Sequence, residues 1–216
     1  PLYSSAASDV YKRQVGFRHH GVAPGDVVAL FSENSPRWLM ADQGLMRAGA
    51  ADAVRGASAP VEELRYILED SGATALIVQN AELWRRLQLS DAQRARLRFV
   101  LQLEGDAEAD LLSWPSLLQS AKGSPDLELQ RDAQATATIL YTSGTTGQPK
   151  GVPLSHANLL HQMRSLACVA FPKPGSPVLS VLPIWHAYER SASYYFLSCA
   201  CSQTYTTIKQ LKKDLP

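Results

Sequence analysis

Apolar and polar positions alternate in blocks along most of this chain, and the blocks predict strands and helices in turn. Val27-Val28-Ala29-Leu30-Phe31 is a short continuous apolar run after the turn Gly25-Asp26, the pattern of a buried strand. A loop from Ser32 to Ser35 follows. Pro36 opens a helix to Gly49 in which Trp38, Leu39, Leu45 and Met46 recur at helical spacing, while Ala41, Ala48 and Gly49 permit close packing. Ala50 to Val54 predicts a second strand. Ser58 is the expected cap of a helix with Pro60 near its start, Glu62 and Glu63 in its first turn and an apolar stripe of Leu64, Ile67 and Leu68. Ser71-Gly72 ends it, Ala73 to Val78 reads as a strand, Asn80 caps a helix through Leu87, and Arg98 to Leu103 is a further strand.

Glu104 to Ala109 is acidic and small, an exposed loop, and Leu111 to Ala121 is a short helix carrying Trp114, Leu117 and Leu118. Lys122 to Ala133 reads as a surface linker. Ala135 to Tyr141 is an apolar run rich in β-formers, and after a polar stretch a second short run begins at Gly151. Ser155 then caps a helix with Leu159, Leu160, Met163 and Leu166 on one face, so His156 and His161 are expected on the helix surface rather than as ligands. Three prolines break the chain between Phe171 and Pro177, and Val178 to Leu182 returns as a strand. The fold class is therefore α/β, with alternating strands and helices, a mainly parallel sheet and right-handed crossovers. Such sheets bind ligands beyond the carboxyl ends of their strands.

One of those strand ends has the chemistry of a phosphate site. From Thr142 to Lys150 the chain offers Thr142, Ser143, Thr145 and Thr146 as neutral donors, Gly144 and Gly147 as hinges that let backbone amides close on an anion, and one lysine. Lys150 supplies a flexible point charge able to follow a polyphosphate. The spacing differs from the Walker A loop, since two residues separate the glycines and Lys150 comes three after the second. No helix follows directly, because Pro153 interrupts the next segment. Composition alone leaves a ligand-free hairpin open as the alternative.

The whole chain narrows the field further. Its 216 residues are 45% hydrophobic and 19% charged, enough apolar material for a sizeable core. Net charge is +1, from 21 basic and 20 acidic residues without a basic block, so no nucleic-acid partner is expected. Cys168, Cys199 and Cys201 fit no zinc spacing and no secreted disulfide framework, and Cys199 and Cys201 are expected to be small buried thiols. No apolar run approaches the length of a membrane span, which leaves peripheral membrane contact open. Residues 1–14 are small, hydroxyl-rich and aperiodic, and are expected to be a non-native or disordered leader outside the fold.

The string YTSGTTGQPKGVPLSHANL resembles the phosphate-binding signature of the AMP-forming adenylating enzymes, which include acyl-CoA synthetases, luciferases and the adenylation domains of peptide synthetases. A second group, Leu182-Pro183-Ile184-Trp185-His186-Ala187-Tyr188-Glu189-Arg190, resembles the P-W-H-x-x-E-R form of the long-chain acyl-CoA or acyl-carrier-protein synthetases, with Ile184 where proline is expected. The likeness extends through Ala41 to Gly44, Ala53 to Gly56, Ile67 to Ser71 and Gln203 to Thr207, nearly everything after Val15. It implies ATP-dependent activation of a fatty acid through acyl-AMP, with Mg2+, followed by transfer to CoA or an acyl-carrier protein. It implies that Thr142, Ser143, Gly144, Thr145, Thr146, Gly147 and Lys150 hold the ATP phosphates and that His186 contacts the acyl carboxylate or adenylate. Trp185, Tyr188 and Arg190 would line the acyl pocket. Read from the residues alone, His186 is equally a satisfied core histidine at a capped helix start, and Glu189 and Arg190, being adjacent on a helix, need not pair.

The resemblance further implies that residues 15–216 are part of a large N-terminal AMP-binding domain. The adenine- and metal-binding segment, the hinge and the mobile C-terminal domain are expected beyond it, so this chain is expected to be an incomplete enzyme. The compartment expected is the cytoplasm or a membrane surface, or a plastid for a parent from a photosynthetic eukaryote. Adenylation of an amino or aryl acid, or an inert nucleotide-binding remnant, are the alternatives.

Overall fold

The computed structural model describes residues 2–106, 108–121, 132–142, 148–207 and 210–214. The chain begins with α1 (Leu2–His19), then β1 (Val27–Phe31), α2 (Pro36–Arg47), β2 (Ala51–Arg55), α3 (Val61–Asp70), β3 (Ala75–Val78), α4 (Ala81–Leu87), α5 (Asp91–Ala95) and β4 (Val100–Gln102). It continues through β5 (Leu112–Ser113), α6 (Trp114–Gln119), β6 (Thr136–Thr142), β7 (Lys150–Ser155), α7 (His156–Leu166), β8 (Pro177–Ser180), α8 (Ala187–Ser198), β9 (Ser202–Tyr205) and α9 (Leu211–Asp214). The α/β alternation read from the sequence is what the structure shows.

Seven strands form one sheet in the order β5-β4-β3-β1-β2-β6-β7, parallel throughout except for the β6–β7 hairpin at one edge. β1 sits in the middle because it is apolar on both faces. Val28 and Leu30 point to the side covered by Phe17, Trp38, Leu45, Trp114, Leu117 and Tyr194. Ala29 and Phe31 point to the other, under Leu64, Ile67, Leu83 and Leu87. β8 and β9 pair in parallel as a separate two-stranded sheet, with α8 as their crossover.

Three local expectations need correction, and one element has no counterpart in the sequence reading. Ser58 caps nothing: α3 follows Pro60, whose fixed φ already suits a helix start, and the Ser58 amide donates instead to Glu33 Oε1 at 3.0 Å. Two short elements escape periodicity. α5 is set by a capping box of Ser90 and Gln93, and the segment expected to be wholly helical from Leu111 opens with β5 before Ser113 caps α6. Cys201 is buried as expected, but Cys199 is half-buried.

The stretch expected to stand outside the fold is helical from Leu2, and its last residues are engaged. The Arg13 guanidinium lies 4.0 Å over the Trp114 ring and Gln14 donates to the Arg47 carbonyl at 2.9 Å. Gly44 makes that approach of α1 to α2 feasible, since a Cβ there would stand 2.7 Å from Arg13 Cβ. Residues 122–131 of the expected linker lie outside the described residues.

Candidate functional site

The two chemically dense segments come to one edge of the main sheet. β6 ends at Thr142 and β7 starts at Lys150, and these two residues are register partners, so the two strands flanking the glycine- and hydroxyl-rich segment are held together at its ends. Ser143, Gly144, Thr145, Thr146 and Gly147 lie outside the described residues. Thr142 and Lys150 are exposed. Beneath them the end of β6 is held rigidly. Tyr141 is 3% exposed and donates to Asp70 Oδ2 at 2.8 Å, and Tyr66 donates to Asp70 Oδ1 at 3.1 Å. Burial, then the Asp70 carboxylate, pushes the Tyr141 phenol well above its ordinary range, so it stays protonated as a donor.

The second segment turns from β8 into α8. Asn34, at the carboxyl end of β1, clamps that turn: its Nδ2 donates to the Leu182 carbonyl at 2.7 Å and to Ser180 Oγ at 3.3 Å, and its Oδ1 accepts from the Ile184 amide at 2.9 Å. Ser180 Oγ in turn donates to Glu189 Oε1 at 2.6 Å. Burial raises the Glu189 carboxyl, opposed by Ser180 and the Leu182 amide. The side chain of Ile184, where the resembling pattern has proline, is fully buried.

Trp185 reaches back to the main sheet. A Cβ on Gly56 would fall 2.5 Å from its indole, so the ring packs closely against the residue that follows β2. β2 is the parallel neighbour of β6. Trp185 and Thr142 therefore stand beyond the carboxyl ends of adjacent strands, as open α/β sheets favour for ligands. His186 occupies the N-cap of α8 in an extended conformation, makes no side-chain cap bond, and is exposed beside Trp185 with ring centroids 6.4 Å apart. It is not a core histidine. Tyr188 is 71% exposed and projects away from the packed body. His156 is half-buried, where burial lowers its pKa against the pull of Asp132 and Asp42, and His161 is exposed.

Arg190 lines no pocket. It is fully buried, with Nη1 donating to Thr138 Oγ1 at 2.7 Å, Nε to the Tyr194 hydroxyl at 2.7 Å, and Nη2 to both oxygens of Asp52 at 2.9 and 2.8 Å. Nη2 also bonds Asp42, which accepts from the Tyr194 hydroxyl as well. Burial alone would lower the arginine, but Asp52, Tyr194 and Asp42 outweigh it and hold it well above its ordinary value. Asp52 is raised to about 7 by burial and by Asp42, against the pull of Arg190. The physical reason for the departure from the expected acyl pocket is that two buried carboxylates need this cation more than a ligand does. Sequence reasoning passed over Asn34, Asp42 and Asp52. An aspartate in the middle of an otherwise apolar strand, as in Ala51-Asp52-Ala53-Val54, was the available signal.

The sequence profile of the AMP-binding enzymes matches residues 3–215. The chain belongs to that family. A chloroplastic long-chain-fatty-acid–[acyl-carrier-protein] ligase of Arabidopsis thaliana is 38% identical over 232 aligned residues, covering 99% of this chain and 32% of the relative. A long-chain-fatty-acid–CoA ligase of Mycobacterium tuberculosis is 29% identical, over 88% of this chain and 32% of its own length. The chain thus spans about a third of these curated relatives. Among solved structures, a long-chain-fatty-acid–CoA ligase from Archaeoglobus fulgidus superposes with a TM-score of 0.80 at 24% identity, covering 94% of this chain and 39% of that one. That likeness shows the fold alone.

Two further features bear on ligands of this AMP-binding chain. Among the described residues no group of three or more His, Cys, Asp or Glu side chains is arranged to hold a metal ion. None of the described helices is long and apolar enough to cross a membrane.

Proposed function

We propose that this chain is part of an enzyme that activates a long-chain fatty acid with ATP through acyl-AMP and passes the acyl group to a thiol, of CoA or of an acyl-carrier protein. The observation that carries the reading is the shared edge: the exposed Thr142 and Lys150 paired at the end of β6, and an exposed histidine beside an indole packed on the residue after β2. The family match and the names of the relatives support it.

In the first step a carboxylate oxygen attacks the α-phosphorus of ATP, and the bond to pyrophosphate breaks. Negative charge moves onto the leaving oxygens. Lys150 and the hydroxyl and amide donors from Thr142 to Gly147 neutralise it by position rather than by covalent chemistry. His186 donates a hydrogen bond to the acyl carboxylate or adenylate, and Trp185 forms an apolar wall beside it. In the second step a thiol, its proton lost to solvent, attacks the acyl carbon through sulfur and AMP leaves with the bonding electrons. Mg2+ would be carried chiefly by the phosphates, which suits its reluctance to dehydrate.

Of the two acceptors the acyl-carrier protein is favoured by the higher identity to the ligase that names it, and by the same likeness a plastid is the favoured compartment. ATP–pyrophosphate exchange with fatty, aryl and amino acids, run on this chain and on a polypeptide extended to the length of its relatives, tests the reading. Exchange with fatty acids in the extended form is expected, and loss of it on Lys150→Ala. Exchange driven only by amino or aryl acids, or unchanged by that substitution, would overturn it.

A further inference from the structure

We propose that Arg190 is a positioning residue, which fixes Trp185 and His186 at the carboxyl edge of the main sheet by tying the start of α8 to α2, β2 and β6. That these two groups merit fixing rests on the adenylation reading above. The tie itself is a matter of geometry.

Trp185 and His186 belong to the β8–α8–β9 unit, which shares no strand pairing with the main sheet among the described residues. What sets one body against the other must be side-chain contact. Apolar contacts of Ile184 and Tyr194 supply cohesion but little direction, because buried hydrocarbon slides at small cost. Direction comes from two polar ties. One is the Asn34 clamp on residues 180–184. The other is Arg190, four residues after His186 and joined to it by the Arg190 amide bonding the His186 carbonyl at 3.1 Å.

The guanidinium fork meets partners on four elements: Asp42 on α2, Asp52 on β2, Thr138 on β6 and Tyr194 on its own helix. Its face also lies 5.0 Å from the Trp38 ring centre. A planar group with fixed N–H directions satisfies such a set in one orientation only, which a lysine cannot do. Replacing a buried ion cluster with hydrocarbon is commonly neutral for stability, so stability gives no reason for this one. A single register between two bodies does.

Amide hydrogen exchange reads the tie directly on this chain, because the Ile184 amide donates to Asn34 Oδ1 and the His186 amide to the Pro183 carbonyl. In Arg190→Lys these amides are expected to exchange about tenfold faster while those of β1 and β3 keep their wild-type rates. Uniform acceleration of all amides, or none in the turn, overturns the proposal. Should that variant not fold, Thr138→Val removes one acceptor without touching charge and is expected to loosen the same turn to a smaller degree. In the extended polypeptide, Arg190→Lys should raise KM for the carboxylate and leave KM for ATP unchanged. An inactive wild type whose turn still loosens on Arg190→Lys would sink the adenylation reading alone. An active wild type whose carboxylate KM ignores the substitution would sink the positioning role alone.

Discussion

Lys150 starts the edge strand β7 and Arg190 bonds Thr138 on the neighbouring β6, yet the fold surrounds these two cations in opposite ways. Lys150 is exposed at the mouth of a hairpin. Arg190 is 0% exposed and bonded on every nitrogen. A solvated ammonium on a flexible stem is free to follow a charge that moves during a reaction, whereas a buried guanidinium is locked to charges that do not move. The comparison teaches that a conspicuous ionisable residue beside a site is either a reagent or a fixture, and that its surroundings decide which.

The largest expected effect breaks the fixture. Arg190→Met leaves Asp42 and Asp52 buried without their cation and should lower the unfolding free energy by about 3–5 kcal/mol, read by urea denaturation. Adding Asp42→Asn and Asp52→Leu to it should recover most of that loss. If the triple variant is no better than the single one, the cost lies in packing and not in uncompensated charge.

A pH series sharpens the same side. Folding raises Asp52 from 3.8 to about 7, so its contribution to stability is fully present below about pH 4 and is lost as pH rises through about 7. The unfolding free energy of the wild type relative to Asp52→Asn should therefore fall across that window. A flat difference would mean that Asp52 is ionised throughout in the folded chain.

Lys150→Ala should do the reverse of Arg190→Met. Stability is expected to change by no more than about 0.5 kcal/mol, while pyrophosphate exchange in the extended polypeptide slows about 10²-fold. Loss of stability with exchange intact would erase the contrast between the two cations.

A smaller effect tests the contact of Trp185 with the main sheet. Gly56→Ala puts a methyl 2.5 Å from the Trp185 ring, which must move, at a cost of about 1–3 kcal/mol and with a shift in its fluorescence. Least of all, Ser155→Ala removes the cap of α7, whose side chain accepts from the Asn158 amide at 3.2 Å, and should cost about 1 kcal/mol in thermal unfolding.

The chain's own order of residues determined what depends on neighbours in sequence. β1 follows from an unbroken apolar run, α2 from Pro36 with Ser35 accepting from the Trp38 amide, and α4 from Asn80. The Ser/Thr/Gly-rich segment proposed to hold phosphate stands out in the sequence for the same reason, since its glycines, hydroxyls and lysine lie within nine residues. Tertiary structure decided what depends on residues far apart. Asp42, Asp52 and Thr138 meet Arg190 across separations of 148, 138 and 52 residues, and Asn34 reaches Ile184 across 150. Local pattern carries no term for such pairs, so Arg190 looked like a pocket residue until burial showed it to be a fixture. A charge in a sequence is only a charge; its desolvation and its partners exist only once the chain has folded around it.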